Sequence, residues 1–250
     1  MVYFIGAGPG DIELITVKGM KILQKADVVI YTGSLVSSNI LDYCQKGVKV
    51  YNSAHMSLPE VIQAIQEGVD QGKLVVRLHT GDPSIYGAIR EQMDELEKRG
   101  IDFEIIPGVS SFVAAASRIK AEFTLPGVSQ TIIITRKEGR TGTSEGGKIS
   151  ELAKHRASMA IFLSVQSISQ VVEELLTGYD ENTPVAVVYK ATWPDEKIVR
   201  GTLKDIAEKV GAEKIERHAQ ILVGDFMGSQ YELSKLYDAT FSHMYRSGKE

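Results

Sequence analysis

The sequence predicts an α/β protein of two α/β domains, residues 1–120 with a mostly parallel sheet and residues 121–250 with a mixed one. Three observations carry that reading. Strand-like and helix-like segments alternate through the first 120 residues, which predicts a parallel sheet covered on both faces. The stretch "AEFTLPGVS" (121–129) then interrupts the pattern with Pro126 and Gly127. In the second half, the strand-like runs 184–191 and 197–203 are separated only by "TWPDE", a connection that short demanding antiparallel pairing.

Taken in order, "VYFIGAG" (2–8) reads as a strand and a turn. From Thr16 to Ala26, Val17, Met20 and Leu23 recur near the helical period. "DVVIY" (27–31) is a buried strand, "NILDYC" (39–44) a short helix and "VKVYN" (48–52) a strand. Residues 58–72 form a helix, with Pro59 in the first turn and Val61, Ile62, Ile65 and Val69 apolar. Residues 73–83 are a strand ending in a polar turn, and 85–100 a helix stopped by Gly100. Residues 101–108 are a strand and 109–119 a small-residue helix. In the second half, 130–136, 158–165, 184–191, 197–203 and 219–226 read as strands, and 167–178 and 203–212 as helices. "KEGRTGTSEGGK" (137–148) is a polar, glycine-rich mobile loop, and the tail from about Tyr231 is weakly patterned and flexible.

Composition narrows the function. A net charge of -4 lends no general electrostatic support to a nucleic-acid partner. No apolar run approaches the roughly 20 residues that span a bilayer, and the chain enters its first strand without a signal-peptide pattern, so a cytoplasmic protein without a membrane partner is expected. Cys44 is the only cysteine, which excludes an intramolecular disulfide and a multi-cysteine metal site. It reads as a small apolar residue, and no metal is expected.

Three loops follow strands at the edge where open parallel sheets bind ligands. They are "GAGPGD" (6–11), "HTGDPSIYG" (79–87) and "PGVSSF" (107–112). The first resembles a dinucleotide fingerprint, but Asp11 stands where G-x-G-x-x-G needs its third glycine, and Lys18 comes too late for a phosphate-binding lysine. Pro9 stiffens the loop and removes a donor, and Asp11 would repel a pyrophosphate or cap the next helix. Asp82 reads as an N-cap with Pro83 at the first helical position, or as a ligand contact. Ser110 and Ser111 read as caps or ligand contacts. The set suits a small cationic or zwitterionic cofactor, and S-adenosyl-L-methionine fits.

At these residues the chain resembles the tetrapyrrole (corrin/porphyrin) methyltransferases, from Val2 to about Met227. "GAGPGD", "LITVKG", "ADVVIY", "HTGDPSIYGAI", "EIIPGVSS" and "VAVVYKATWPDEKIVRGTL" carry the resemblance. "AHMSL" (54–58), "GDPSIYGAIREQM" (81–93) and "LPGVSQTIIITRKEGRT" (125–141) are similar to the branch that methylates precorrin-4 at C11 in cobalamin biosynthesis. The resemblance implies two α/β domains with the cofactor in the cleft between them, a homodimer, a small-molecule tetrapyrrole substrate, and S-adenosyl-L-methionine leaving as S-adenosyl-L-homocysteine. "YTGSLVSS" and "VYKATWPDEKIVR" look most like the cobalt-dependent route.

The family's cofactor contacts map onto Pro9, onto Thr80, Gly81 and Asp82 (Thr80 departing from the usual glycine), and onto Ile85. They map further onto Ser110 and Ser111, a second departure, onto Leu163 and Ala191, and, near the adenine, onto Ala219. Thr32 stands where the uroporphyrinogen-III branch has an aspartate, which argues against that reaction. The implied chemistry asks little of the protein beyond holding two reactants in line, worth up to about 7–11 kcal/mol. Tyr31 and His55 are candidates for handling a proton. The substrate's carboxylates call for cations: Arg136, Lys137, Arg140 and Lys190 are candidates, with His55 and Met56 also beside the substrate. His79 and Trp193 read as structural. Methylation at another ring position, a family member acting on RNA or modified elongation factor, and a nicotinamide-dependent dehydrogenase are the alternatives.

Overall fold

The structure, a computed structural model, describes residues 1–138 and 147–248. The chain divides into two compact units. Unit 1 comprises Met1–Ala114 with Lys190–Glu196, and unit 2 comprises Ala115–Tyr189 with Lys197–Glu250.

Unit 1 holds β1 (Val2–Gly6), α1 (Val17–Leu23), β2 (Val28–Tyr31), β3 (Lys49–Asn52), α2 (Leu58–Asp70), β4 (Val75–His79), α3 (Arg90–Lys98) and β5 (Phe103–Ile106). The strands make one parallel sheet in the order β3-β2-β4-β1-β5. Strand alternation feeds two cores. Val2, Phe4, Val28, Ile30 and Val75 pack with Val61, Ile62 and Ile65 of α2 and Leu96 of α3. Ile5, Val29, Val76, Leu78 and Ile106 pack on the opposite face with Leu23 of α1 and Ile40. β1 and β4 are neighbours, yet β1 connects through α1 to β2 on one side, and β4 through α3 to β5 on the other. Such a switch opens a crevice at the carboxyl ends of the strands.

Two elements differ from the sequence expectation. The helix expected over 85–100 begins only at Arg90. Residues 82–89 form a tight turn in which Tyr86 (φ 53) and Ala88 (φ 48) adopt left-handed conformations, and a Cβ at Gly87 would lie 2.1 Å from the Pro83 carbonyl oxygen. The segment expected as a helix over 39–44 is a 3-10 turn, Ser38–Tyr43, with the Ser37 hydroxyl accepting from the Asn39 N–H. Cys44 comes next, half-buried against the α1 core, and burial pushes its thiol pKa up.

α4 (Ser111–Ile119) carries the chain from unit 1 into unit 2, which holds β6 (Ile132–Arg136), α5 (Ile149–Ala153), β7 (Ser158–Phe162), α6 (Ile168–Leu175), β8 (Pro184–Tyr189), β9 (Lys197–Thr202), α7 (Ile206–Ala212) and β10 (Ala219–Val223). The sheet order is β6-β7-β10-β8-β9. Only β6 and β7 run parallel, and β8 and β9 form the antiparallel pair that their short connection demanded. Met159, Ile161, Val187 and Ile221 pack with Ile149 of α5, Val171 of α6 and Val210 of α7. The sequence reading had no helix at α5. Among the described residues, no helix is long and apolar enough to cross a membrane, and no group of three or more His, Cys, Asp or Glu is placed to hold a metal ion.

Candidate active site

The three strand-end loops of unit 1 meet at one edge, the first two joined backbone to backbone and the third held by a side chain. β1 and β4 run in register to Gly6 opposite His79. The pairing continues into the loops: the Ala7 N–H donates to the His79 carbonyl (2.7 Å), and Gly8 and Gly81 exchange N–H···O bonds (3.3 and 2.9 Å). The third loop is pinned by Asp82. One carboxylate oxygen accepts the Gly108 N–H at 2.9 Å, and the other accepts the Ser84 N–H at 2.8 Å and the Ser84 hydroxyl. Asp82 therefore caps a turn and clamps a loop, and it is not the N-cap of α3, which starts eight positions later. The approach is so close that a Cβ on Gly6 would sit 2.5 Å, and one on Gly108 2.2 Å, from the Gly81 carbonyl oxygen. Only glycine fits at either position.

The glycine-rich loop is also held from its other side. Trp193 donates its indole N–H to the Pro9 carbonyl (2.9 Å), and the Asp11 N–H donates to the Thr192 hydroxyl (3.0 Å). Asp11 in turn accepts the Glu13 N–H (3.0 Å) and caps the 3-10 turn Ile12–Leu14. α1 starts later, with the Thr16 hydroxyl accepting the Gly19 N–H. A pyrophosphate cradle needs free loop N–H groups at a helix N-terminus. Here the N–H groups of Ala7, Gly8 and Asp11 are engaged, Pro9 has none, and no α-helix begins at the loop. The residues suit a ligand without a pyrophosphate, as S-adenosyl-L-methionine is.

Beneath this edge lie two buried polar side chains of β4. Arg77 is 5% exposed; it donates to the Ile30 carbonyl (3.1 Å) and to the Gln92 side-chain oxygen (3.0 Å). Gln92 passes the link on, donating to the Ala88 carbonyl at 2.9 Å. Burial lowers the Arg77 pKa to about 10. His79 is 2% exposed and rests 5.9 Å from the Phe4 ring, and its Nε2 has no hydrogen-bond partner among the described residues. Burial, with the nearby Arg77 charge, lowers its pKa to about 3, so the imidazole is neutral.

The other expected site residues are spread over both units. Pro9 and Gly81 are buried in the joined loops, and Ser110 is buried with its Cα 3.5 Å from where a Gly81 Cβ would stand. Ser111 opens α4, and Ile85 lies half-buried in the 82–89 turn. Thr80, a departure from the family pattern, and Thr32, which stands where the uroporphyrinogen-III branch has an aspartate, place their hydroxyls 3.2 Å apart. Tyr31 ends β2, and its carbonyl accepts the Ser53 hydroxyl (3.1 Å) from the turn carrying His55. His55 is exposed, whereas Met56 packs against the α2 core. Ala191 is buried in the 190–196 segment of unit 1, between Lys190 (φ 46) and Thr192 (φ 71). Leu163 (φ 51, exposed), Ala219 at the start of β10 and half-buried Arg136 at the end of β6 belong to unit 2. Arg140 lies outside the described residues. Two further cations have partners: Lys137 lies 3.7 Å from Glu174, and Lys190 lies 2.6 Å from Asp195 and over the Trp193 ring. Thr192 and the Arg77–Gln92 link escaped the sequence reading. The available signal was the pair of polar residues, Arg77 and His79, on one face of an otherwise apolar strand.

The family model described as Tetrapyrrole (Corrin/Porphyrin) Methylases matches residues 1–207. The chain is 61% identical over 247 residues to the cobalt-precorrin-4 C(11)-methyltransferase of Methanocaldococcus jannaschii, covering 98% of this chain and 95% of the relative. The solved structure of the cobalamin biosynthetic enzyme cobalt precorrin-4 methyltransferase, CbiF, superposes with a TM-score of 0.89 at 49% identity, covering 91% of this chain and 96% of that one. Uroporphyrin-III C-methyl transferase from Thermus thermophilus, complexed with S-adenyl homocysteine, superposes with a TM-score of 0.75 at 28% identity, covering 91% and 93%.

Proposed function

The chain belongs to the tetrapyrrole (corrin/porphyrin) methylases, and from that premise we propose that it transfers a methyl group from S-adenosyl-L-methionine to C11 of cobalt-precorrin-4, giving cobalt-precorrin-5 in cobalamin biosynthesis. The observation that carries the reading is the 61% identity, over nearly both chains, to a relative named for that reaction. The loop geometry supports the cofactor, because the Ala7, Gly8 and Asp11 N–H groups are engaged and Pro9 has none, which leaves Gly10 as a single loop donor where a pyrophosphate would need several.

When bound, S-adenosyl-L-methionine supplies an activated methyl on sulfur. The residues proposed to hold it are Pro9, Thr80, Gly81, Asp82, Ile85, Ser110, Ser111 and Ala191 in unit 1, with Leu163 and Ala219 in unit 2. Asp82 acts through the clamp on Gly108 and keeps the three loops at a fixed spacing. Such pre-organisation is the protein's main lever on a reaction of positioning. Arg136 and Arg140 are proposed to meet substrate carboxylates, with His55 and Met56 beside the ring and Tyr31 or His55 handling the proton. The same resemblance supports a homodimer, and the cytoplasm is the proposed compartment.

The test is incubation of the purified chain with S-adenosyl-L-methionine and either cobalt-precorrin-4 or metal-free precorrin-4, with NMR location of the new methyl. Methylation at C11, faster with the cobalt form, is expected. A methyl at another ring position would overturn the assignment.

A further inference from the structure

Trp193 sits in a short connection between two strands of unit 2, yet the segment that bears it, Lys190–Glu196, is part of unit 1. The tip is tightly determined. Lys190 and Thr192 both take left-handed conformations, the Thr192 N–H donates to the Glu196 carboxylate (2.7 Å), and Lys190 bridges to Asp195 beneath the indole. Left-handed non-glycine residues cost energy and persist where surrounding contacts over-determine them. What the tip does is grip the glycine-rich loop. The indole N–H holds the Pro9 carbonyl, and the indole ring fills the space over Gly10, where a Cβ would lie 2.1 Å from ring carbon Cδ1.

Peptide planarity turns that grip into a direction. The Pro9 carbonyl and the Gly10 N–H belong to one rigid plane and point opposite ways. Fixing the first therefore aims the second. A peptide followed by glycine is otherwise free to flip, since glycine tolerates either sign of φ. The Gly10 N–H has no acceptor among the described residues, whereas the N–H groups of Ala7, Gly8 and Asp11 are engaged. We propose that Trp193 is a positioning residue of the methyl-donor site, holding the Pro9–Gly10 peptide so that the Gly10 N–H is the one loop donor presented to an acceptor oxygen of the bound S-adenosyl cofactor. This inference rests on the cofactor reading given above.

The experiment is calorimetric titration of the full chain with S-adenosyl-L-homocysteine, paired with steady-state kinetics, for wild type, Trp193→Phe, Gly10→Ala and Gly10→Ala in a Trp193→Leu background. Trp193→Phe keeps a ring over Gly10 and removes the indole donor. It raises the cofactor Kd and KM about fivefold, the worth of one hydrogen bond, and leaves the tetrapyrrole KM unchanged. A general loss of structure would not produce that split. Gly10→Ala weakens cofactor binding further through collision with the indole, and most of that loss disappears when Trp193 is Leu. Should Trp193→Phe fail to fold, Gly10→Ala and its double variant read the same contact from the loop side. Wild-type cofactor affinity in folded Trp193→Phe and Gly10→Ala overturns the inference alone. No binding by the wild-type chain overturns it together with its premise.

Discussion

The Asp82 carboxyl feels opposing influences: burial disfavours its charge, but hydrogen bonds from the Ser84 hydroxyl and from the Gly108 and Ser84 N–H groups prevail and hold its pKa below the ordinary aspartate value. A depressed carboxylate stabilises the fold above its ordinary pKa and loses that contribution as pH falls through the lowered one. Asp82→Ala is expected to leave the Gly108 N–H without its acceptor, costing about 1–3 kcal/mol in urea unfolding and weakening S-adenosyl-L-homocysteine binding in parallel. His79 has the same sign by a different route. Its pKa falls from 6.5 to about 3 through burial and the Arg77 charge, so its neutral form favours the fold fully above pH 6.5 and progressively less below. His79→Phe should flatten the acid side of the stability curve between pH 6.5 and 4 by up to about 1.4 kcal/mol per pH unit, measured by urea midpoints; parallel curves for variant and wild type would rule that out. The strand-end position and polar chemistry of Asp82 were legible in the sequence. Its partner Gly108 was not, because the bond joins residues 26 positions apart.

Among the elements, the connection from β4 to α3 is irregular and closely constrained. Arg77 links the end of β2 to Gln92 of α3, and Gln92 reaches back to Ala88 in the turn that carries Ile85. Gln92→Leu should strand the buried Arg77 donor and cost about 2–4 kcal/mol. Adding Arg77→Met removes the stranded charge, so the double variant should be less destabilised than the sum of the singles. Additive losses in denaturant unfolding would show that the two side chains act separately. Long, strongly periodic segments such as α2 were legible from spacing alone. The start of α3 was not: Ile85 and Ile89 fit the helical period, while the chain turns through left-handed Tyr86 and Ala88 and is tied by the hydrogen bond from Gln92 to the Ala88 carbonyl, which periodicity does not register. The brief α5 was missed because it comes after a glycine-rich stretch and offers one turn of pattern.

For the whole molecule, the parallel sheet of unit 1 and the mixed sheet of unit 2 both follow from connection lengths, which is why the fold class was readable before any contact was known. Substrate recognition belongs to this scale too: in the proposed function Arg136, at the end of β6 in unit 2, meets a carboxylate of the tetrapyrrole. Arg136→Ala is expected to raise the tetrapyrrole KM about tenfold, the order of a lost charged hydrogen bond, with a smaller change in cofactor Kd. Equal effects on both constants would remove Arg136 from the substrate. The return of Lys190–Glu196 to unit 1 was invisible in the sequence, where that stretch reads as a plain hairpin connection.

That return has a temporal side. During synthesis the sheet of unit 1 is complete once Ile106 has emerged, but Trp193 lies 184 residues beyond Pro9. At about 5–20 residues per second, the roughly 87 residues from Ile106 to Trp193 keep the finished sheet waiting on the order of 4–17 seconds for that indole. For that interval the nascent chain carries the finished sheet with its glycine-rich loop unlatched, and the latch closes only after β8 has been made. A truncated unit ending at Ala114 would stay in that unlatched state permanently.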